Sequence, residues 1–216
     1  MRVPFALLLI IQSVTNSQPS PVSKVLAAIQ ANDAQLALRF LDDVTDVNVD
    51  KGALLQEAVM HRQTEVIEKL FAKGADPNLR DDLLVNTVLN KWDSTTLLLL
   101  RHGANPNQHS PYGGESPLSV ASSQGNTTVM RALIEKGADV NYNDYVGSGT
   151  ALIAAIEKNQ YGAIQLLLDK EADPSIDAKF HGYPWNIAKR SKNEKIRDLL
   201  KQHRSNCKEQ PEHCQD

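Results

Sequence analysis

The side chains of this chain with the most versatile chemistry are those of six histidines and two cysteines. A histidine can act as a general base or a metal ligand, and a cysteine as a nucleophile, a metal ligand or a disulfide partner. No phosphate-cradling glycine loop, G-x-S-x-G motif or H-E-x-x-H motif accompanies them. We therefore expect no catalytic residue, no cofactor and no enzyme activity, with an enzyme or a metal carrier as the alternative. The histidines are dispersed, at His61, His102, His109, His181, His203 and His213.

Both cysteines, Cys207 and Cys214, lie close to the end of the sequence and are separated by six residues. In an oxidising compartment they could form a disulfide that closes a short loop. His203 and His213 lie nearby, but the spacing matches no standard zinc site. We predict a disulfide within a flexible tail over residues 205–216. Unpaired thiols and a metal site are the alternatives.

The first twenty residues differ in composition from the rest of the chain. A single arginine precedes an apolar run over residues 3–11, and Thr15 and Ser17 stand at the −3 and −1 positions of a cleavage site. The run is too short to span a bilayer as a helix. We predict a signal peptide over residues 1–17, a linker over residues 18–21, and a secreted or periplasmic protein. A retained interfacial anchor or a hydrophobic cap is the alternative.

One hexapeptide recurs through the remaining sequence. The copies read KGADPN, HGANPN, KGADVN and KEADPS, with a fainter DVTDVN before them, and their endings are 30, 29, 34 and 34 residues apart. Each copy follows two short helical patterns, and a last pair of helices has no following loop. The pattern predicts six helix–turn–helix units. Their first apolar positions are Val25, Leu55, Leu84, Leu118, Leu152 and Trp185.

Each unit carries the same structural signals. Ser116 and Thr150 are placed to cap the first helices of their units. A small residue inside the first helix, at Ala58, Ala121, Ala155 and Ala188, allows close helix packing. Glycine ends the second helix, at Gly74, Gly103 and Gly137, because the next backbone position needs a positive φ. Thr87 and Glu171 depart from these rules, and we expect Glu171 to weaken its turn.

These features resemble the ankyrin-repeat family, whose unit of about 33 residues has a Thr-Pro-Leu-like start and a GAD-x-N loop. The resemblance covers residues 22–204. It implies an all-α ankyrin-repeat solenoid of about six units with hairpin finger loops, and a protein that binds proteins and does not catalyse. A looser resemblance to bacterial ankyrin immunity proteins implies a stoichiometric inhibitor of a secreted, envelope-targeting toxin, such as a phospholipase.

In this family the fingers and the first helices line a concave binding surface. The spans from the loop Asn, or its equivalent, to the next unit's first apolar residue are 7, 6, 11, 11 and 10 residues, and the long fingers hold four of the five tyrosines. Tyrosine is common at interface anchors. We predict that the concave face and fingers of repeats 3 to 6 bind one protein partner, whereas Tyr161 packs in a mid-unit turn. The predicted contact residues are His109, Tyr112, Tyr142, Asn143, Asp144, Tyr145, Phe180 and His181.

The charge along the chain is uneven. Residues 179–208 contain nine basic and two acidic residues, whereas residues 18–100 contain eight basic and twelve acidic ones. A basic run at the end of a repeat array is usually the solvated face of a capping repeat. Attraction to an acidic partner or to an anionic membrane is the alternative, and the latter would suit an envelope scaffold. The net charge of −3 provides no overall attraction to the nucleic-acid backbone, so we expect no nucleic-acid partner.

Overall fold

Twelve α-helices, arranged in six consecutive pairs, form the described part of this computed structural model. The structure describes residues 19–109, 114–144, 149–178, 182–191 and 193–208. The first helices of the pairs are α1 (Pro21–Gln30), α3 (Val49–Met60), α5 (Leu83–Leu89), α7 (Pro117–Gln124), α9 (Ala151–Glu157) and α11 (Pro184–Arg190). The second helices are α2 (Ala34–Leu41), α4 (Thr64–Ala72), α6 (Asp93–Arg101), α8 (Thr127–Glu135), α10 (Tyr161–Asp169) and α12 (Glu194–Gln202). The predicted all-α repeat fold is confirmed.

The chain divides into two compact units. The first comprises the described residues 19–49 and 53–74, and in it α1 packs against α2, which also packs against α4. The second comprises residues 50–52 and the described residues between 75 and 208. In it the first helices α5, α7, α9 and α11 pack in series, and so do the second helices α6, α8, α10 and α12. Within the second unit, each helix pair therefore buries its apolar face against the next pair in the sequence.

The core follows the repeat positions identified in the sequence. All six first apolar positions are at most 3% exposed, and the four small-residue positions are fully buried alanines. Thr87, which replaces alanine in the third unit, is also fully buried. Its hydroxyl donates to the Leu84 carbonyl at 2.8 Å and accepts from the Thr96 hydroxyl at 2.9 Å. The polar replacement is therefore tolerated because a partner on the second helix satisfies it.

The helix boundaries arise from the predicted signals. The Ser116 hydroxyl accepts from the Ser119 N–H at 3.0 Å, and the Thr150 hydroxyl accepts from the Ile153 N–H at 3.3 Å. Gly137 ends its unit with φ at 90°, and Glu171 occupies the equivalent position with φ at 62°. The left-handed turn is thus kept in the fifth unit despite the side chain. The Glu171 side chain forms an ion pair with the chain end, in which Glu171 Oε2 lies 2.8 Å from Lys208 Nζ.

Candidate protein-binding fingers

A side-chain oxygen of aspartate or asparagine closes each loop that ends a unit. The oxygen accepts the N–H two residues later, at 2.8 Å in the loop ending at Asn78, 3.0 Å at Asn107, 2.9 Å at Asn141 and 2.8 Å at Ser175. Such Asx turns give the backbone a fixed local shape. The four loops therefore leave their helices in the same way, which explains why Asp or Asn recurs there.

The asparagine that ends a loop also bridges to the next loop. Asn107 Nδ2 donates to the Gly137 carbonyl at 2.9 Å, and Asn107 Oδ1 accepts from the Asp139 N–H at 2.8 Å. Asn78 makes the same two contacts with the loop that follows it, at 3.0 and 2.7 Å. We call this series the asparagine ladder. It fixes the spacing of neighbouring fingers because one amide satisfies both a donor and an acceptor of the next loop.

The ladder ends at the fifth unit. Asn141 Oδ1 accepts from the Asp173 N–H at 2.8 Å, but Ser175 replaces the next asparagine, and its hydroxyl donates to Asp173 Oδ1 at 2.5 Å. The chain end contacts this last loop. The Lys208 N–H donates to Asp173 Oδ2 at 3.0 Å, and Asn206 Nδ2 donates to the Leu168 carbonyl at 2.8 Å. Residues 206–208 therefore dock on the loop where the ladder stops.

The ladder brings His109 and Tyr142 into contact. Their rings are stacked, with centroids 3.9 Å apart and planes inclined by 9°. His109 follows Asn107 by two residues, and Tyr142 directly follows Asn141, so the two rings leave neighbouring loops just beyond the asparagine ladder. Both side chains are half-buried. The structure thus joins two of the predicted contact residues in one aromatic pair.

The surroundings of the pair shift the pKa of each ring in the direction that favours its uncharged form. Burial lowers the pKa of His109 below its ordinary value of 6.5, and the nearby Asp144 and Asp139 carboxylates oppose that shift. Burial also raises the pKa of Tyr142 above 10.0, and the charge of Asp144 adds to the increase. Within the part of the chain that the structure describes, His109 Nδ1 has no hydrogen-bond partner.

Asn143 and Asp144, which we predicted as partner contacts, shape the finger. Asn143 forms an isolated antiparallel bridge with Thr150, and its Nδ2 donates to the Asp177 carbonyl at 2.8 Å. Asp144 is only 7% exposed, and its Oδ1 accepts from the Gly149 N–H at 2.8 Å. Because these polar atoms are engaged inside the protein, we assign both residues a positioning role in the finger.

The other predicted contact residues are Tyr112, Tyr145, Phe180 and His181, and they lie outside the described residues. The prediction that Tyr161 packs in a mid-unit turn was wrong, because this residue is 43% exposed. It begins α10, at the mid-unit turn and away from the fingers.

The asparagine ladder is the feature that the sequence analysis missed. The recurrence of Asn at positions 48, 78, 107 and 141 was the signal that could have indicated it.

The C-terminal residues were predicted to carry a disulfide. Cys207 is disulfide-bonded. Cys214 lies outside the described residues, so the pairing of the two cysteines stays a prediction. Across the described ranges, no group of three or more His, Cys, Asp or Glu side chains could hold a metal ion. In the same ranges, every helix falls short of the length and apolar character needed to cross a membrane.

Comparison with known proteins identifies the repeat. The family described as ankyrin repeats (3 copies) matches residues 85–178. The Escherichia coli protein YahD, whose name describes an ankyrin repeat protein, is 27% identical over 192 residues, which cover 83% of this chain and 94% of YahD. A Treponema pallidum protein named for its ankyrin repeats is 30% identical over 125 residues, or 56% of this chain and 42% of that protein. The fowlpox virus ankyrin repeat protein FPV031 is 30% identical over 165 residues, or 72% and 48% of the two chains.

The chain therefore spans nearly all of one of these relatives and less than half of the other two. The matched family region begins inside α5 and contains α6 to α10, with the Asn107 and Asn141 members of the asparagine ladder. Ankyrin repeats are a non-catalytic fold whose general role is protein–protein interaction. The paired helices, the recurring loops and these matches together show that the chain belongs to the ankyrin-repeat family.

Proposed function

We propose that the chain is a non-catalytic recognition module that binds one protein partner through the first helices and fingers of repeats 3 to 6. The observation that carries the proposal is the stacked pair of His109 and Tyr142, held between two fingers that Asn107 ties together. Rings that are already ordered lose little conformational entropy on binding, so they make effective anchors.

The arrangement of aromatic residues supports these fingers over the other surfaces. Tyr112 and Tyr145 lie within three residues of His109 and Tyr142 in the sequence, so both rings of the stack have an aromatic neighbour along the chain. Tyrosine and histidine combine a broad apolar face with a polar atom, which suits a surface that is solvated until a partner arrives.

The proposed site of action is the periplasm or the outside of the cell. The apolar run over residues 3–11, followed by small polar residues, supports this location. The disulfide at Cys207 supports it independently, because disulfides persist mainly in oxidising compartments.

An immunity role is a narrower form of the same proposal. The chain would then occupy the active site or the substrate entrance of a secreted, envelope-targeting toxin, and one chain would inhibit one toxin molecule. Its support is the resemblance to small exported ankyrin immunity proteins. A captured partner with phospholipase activity that falls to zero at equimolar ratio would assign this role, whereas a partner without envelope-degrading activity would exclude it.

The test is affinity capture with the chain lacking residues 1–17, under native conditions, followed by mass spectrometry. We expect one stoichiometric protein partner. The combined variant Tyr112→Ala, Tyr142→Ala and Tyr145→Ala should capture much less of it, whereas Tyr161→Ala should capture as much as the parent chain. Circular dichroism melts of all the chains check folding. Absence of a stoichiometric partner, or equal losses with Tyr161→Ala, would overturn the proposal.

A further inference from the structure

The finger loops carry the negative charge of this protein. The four segments 74–82, 103–116, 137–150 and 171–183 together contain nine acidic and only two basic residues. The whole chain has a net charge of −3, so the sequence outside these fingers is net positive. A charge distribution of this kind attracts cationic surfaces to the fingers and repels anionic ones.

The aromatic pair lies within this negative region. Asp139 is exposed, and within the described ranges its carboxylate has no lysine or arginine in an ion pair. Asp144 is buried, so its negative charge acts on this region through the electric field, and its carboxylate is not available for contact at the surface. Both charges act on the His109 ring, and Asp144 acts on the Tyr142 ring as well. Two stacked rings with carboxylates beside them therefore present flat aromatic surface and negative charge at the same place.

One side chain matches both properties. The guanidinium group of arginine is planar and permanently charged, stacks on aromatic faces and donates forked hydrogen bonds to carboxylates. An ammonium group is a compact, strongly hydrated point charge that gains less from a flat ring surface. Phosphate and carboxylate groups would be repelled by Asp139 and Asp144.

We propose that the finger surface around His109 and Tyr142 binds an arginine side chain from a basic segment of a protein partner. The inference rests on the proposed protein-binding function and specifies the chemistry of the partner. The negative fingers would draw the basic segment in, and the aromatic pair with Asp139 would select arginine at the point of contact.

Asp139→Asn is the variant that isolates the charge. Asp139 Oδ1 closes the turn by accepting the Asn141 N–H, and an asparagine oxygen can do the same. Asn105 already does so in the preceding loop, at 3.0 Å, which shows that the amide preserves the turn. The matched control is Glu135→Gln, which removes one negative charge from the exposed end of α8. Tyr142→Leu removes the ring, and its control is Tyr161→Leu.

The probes are a short arginine-rich peptide and its lysine and citrulline counterparts, and binding is followed by fluorescence anisotropy at low and high salt. We expect the arginine peptide to bind about tenfold more tightly than the citrulline peptide, and more tightly than the lysine peptide. Asp139→Asn and Tyr142→Leu should each weaken its binding severalfold, whereas the two control variants should not. Equal affinities for the arginine and citrulline peptides, or equal losses in site and control variants, would overturn the proposal.

Two further outcomes separate this inference from the function on which it rests. A captured partner whose contact surface has no basic segment would overturn the arginine site and leave the recognition function standing. No captured partner would remove the recognition function, whatever the peptides show. Salt-sensitive self-association that is lost in Asp139→Asn, measured by analytical ultracentrifugation, would assign the surface to a second copy and contradict a foreign partner.

Discussion

Asn107 shows how a single side chain sets the geometry of two fingers. Its amide contacts both the Gly137 carbonyl and the Asp139 N–H, and these contacts hold the loop that presents Tyr142 at a fixed distance from the loop that presents His109. The recurring asparagine is thus more than a turn former, because it carries the spacing of the repeat from one loop to the next.

Asn107→Ala should lower the free energy of unfolding by about 2 kcal/mol, because two hydrogen bonds between loops are lost. Urea denaturation measures the change. Asn90→Ala is the control, since Asn90 Nδ2 donates only to the Asn86 carbonyl of its own helix end. We expect a clearly smaller loss there. Equal losses in the two variants would show that the bridge between loops contributes no more to stability than the hydrogen bond at the helix end.

His109 should make stability depend on pH. Its folded pKa is lowered by burial, against the opposing charges of Asp144 and Asp139, so the unfolded chain binds the proton more readily. The stabilisation is present above the ordinary value of 6.5 and is lost as the pH falls through the folded pKa. His109→Gln should therefore lose less stability than the parent chain between about pH 7 and pH 5. Identical pH profiles from thermal melts would contradict this.

At the residue scale, the sequence predicted part of the candidate site. His109 and Tyr142 were identified because aromatic residues concentrate in the long fingers, and the structure places them together. Asn143 and Asp144 were assigned to a partner because polar residues in a loop look exposed in a sequence. That assignment stays a prediction, and the structure adds hydrogen bonds of these residues with Asp177 and Gly149 that depend on how the finger folds back, which no local pattern indicates.

The elements of the fold were the most predictable level. The caps at Ser116 and Thr150 and the left-handed glycines at positions 74, 103 and 137 are local signals, and they define where helices begin and end in the units that carry them. The contact between Thr87 and Thr96 could not be predicted, because it joins two helices across a turn. The docking of residues 206–208 on the last loop was missed because the tail lies beyond the repeats.

The docked chain end should stabilise the last repeat. Cys207 stands between Asn206 and Lys208, whose contacts with Leu168 and Asp173 attach the tail to the fifth unit. Reducing the predicted Cys207–Cys214 disulfide should cost about 2 kcal/mol or less, because such a pairing closes a short loop that restricts the unfolded chain only modestly. Hydrogen exchange should become faster in α12 and remain unchanged in α1.

Cys207→Ser is the control for that experiment. The variant should exchange as fast as the reduced parent chain, with or without reductant. If reductant leaves exchange in α12 of the parent chain unchanged, the disulfide plays no part in holding the tail.

At the scale of the whole molecule, the repeat organisation and the distribution of charge support the same function. Within the second unit, the buried positions are used for stacking one helix pair on the next. What differs from one finger to the next is length, aromatic content and charge. In a fold whose general role is protein interaction, these properties determine which partner binds.

The identity of the partner could not be predicted from the sequence, because recognition depends on two complementary surfaces and the chain supplies only one. The class of function was predictable, since the repeat is visible in single residues such as Gly137 and Asn141. The charge separation between fingers and helices becomes apparent only when the residues are grouped by structural element.

The most direct test of the central claim is the affinity of the captured partner for three chains, measured by calorimetry: the parent, Tyr142→Ala and Tyr161→Ala. Both tyrosines are at least partly exposed, but only Tyr142 lies in the fingers. We predict that Tyr142→Ala weakens binding by about tenfold or more, as expected for an interface anchor, whereas Tyr161→Ala leaves the affinity within about twofold. Equal affinities for all three chains, with unchanged melting transitions, would contradict the claim that this protein recognises its partner through the fingers.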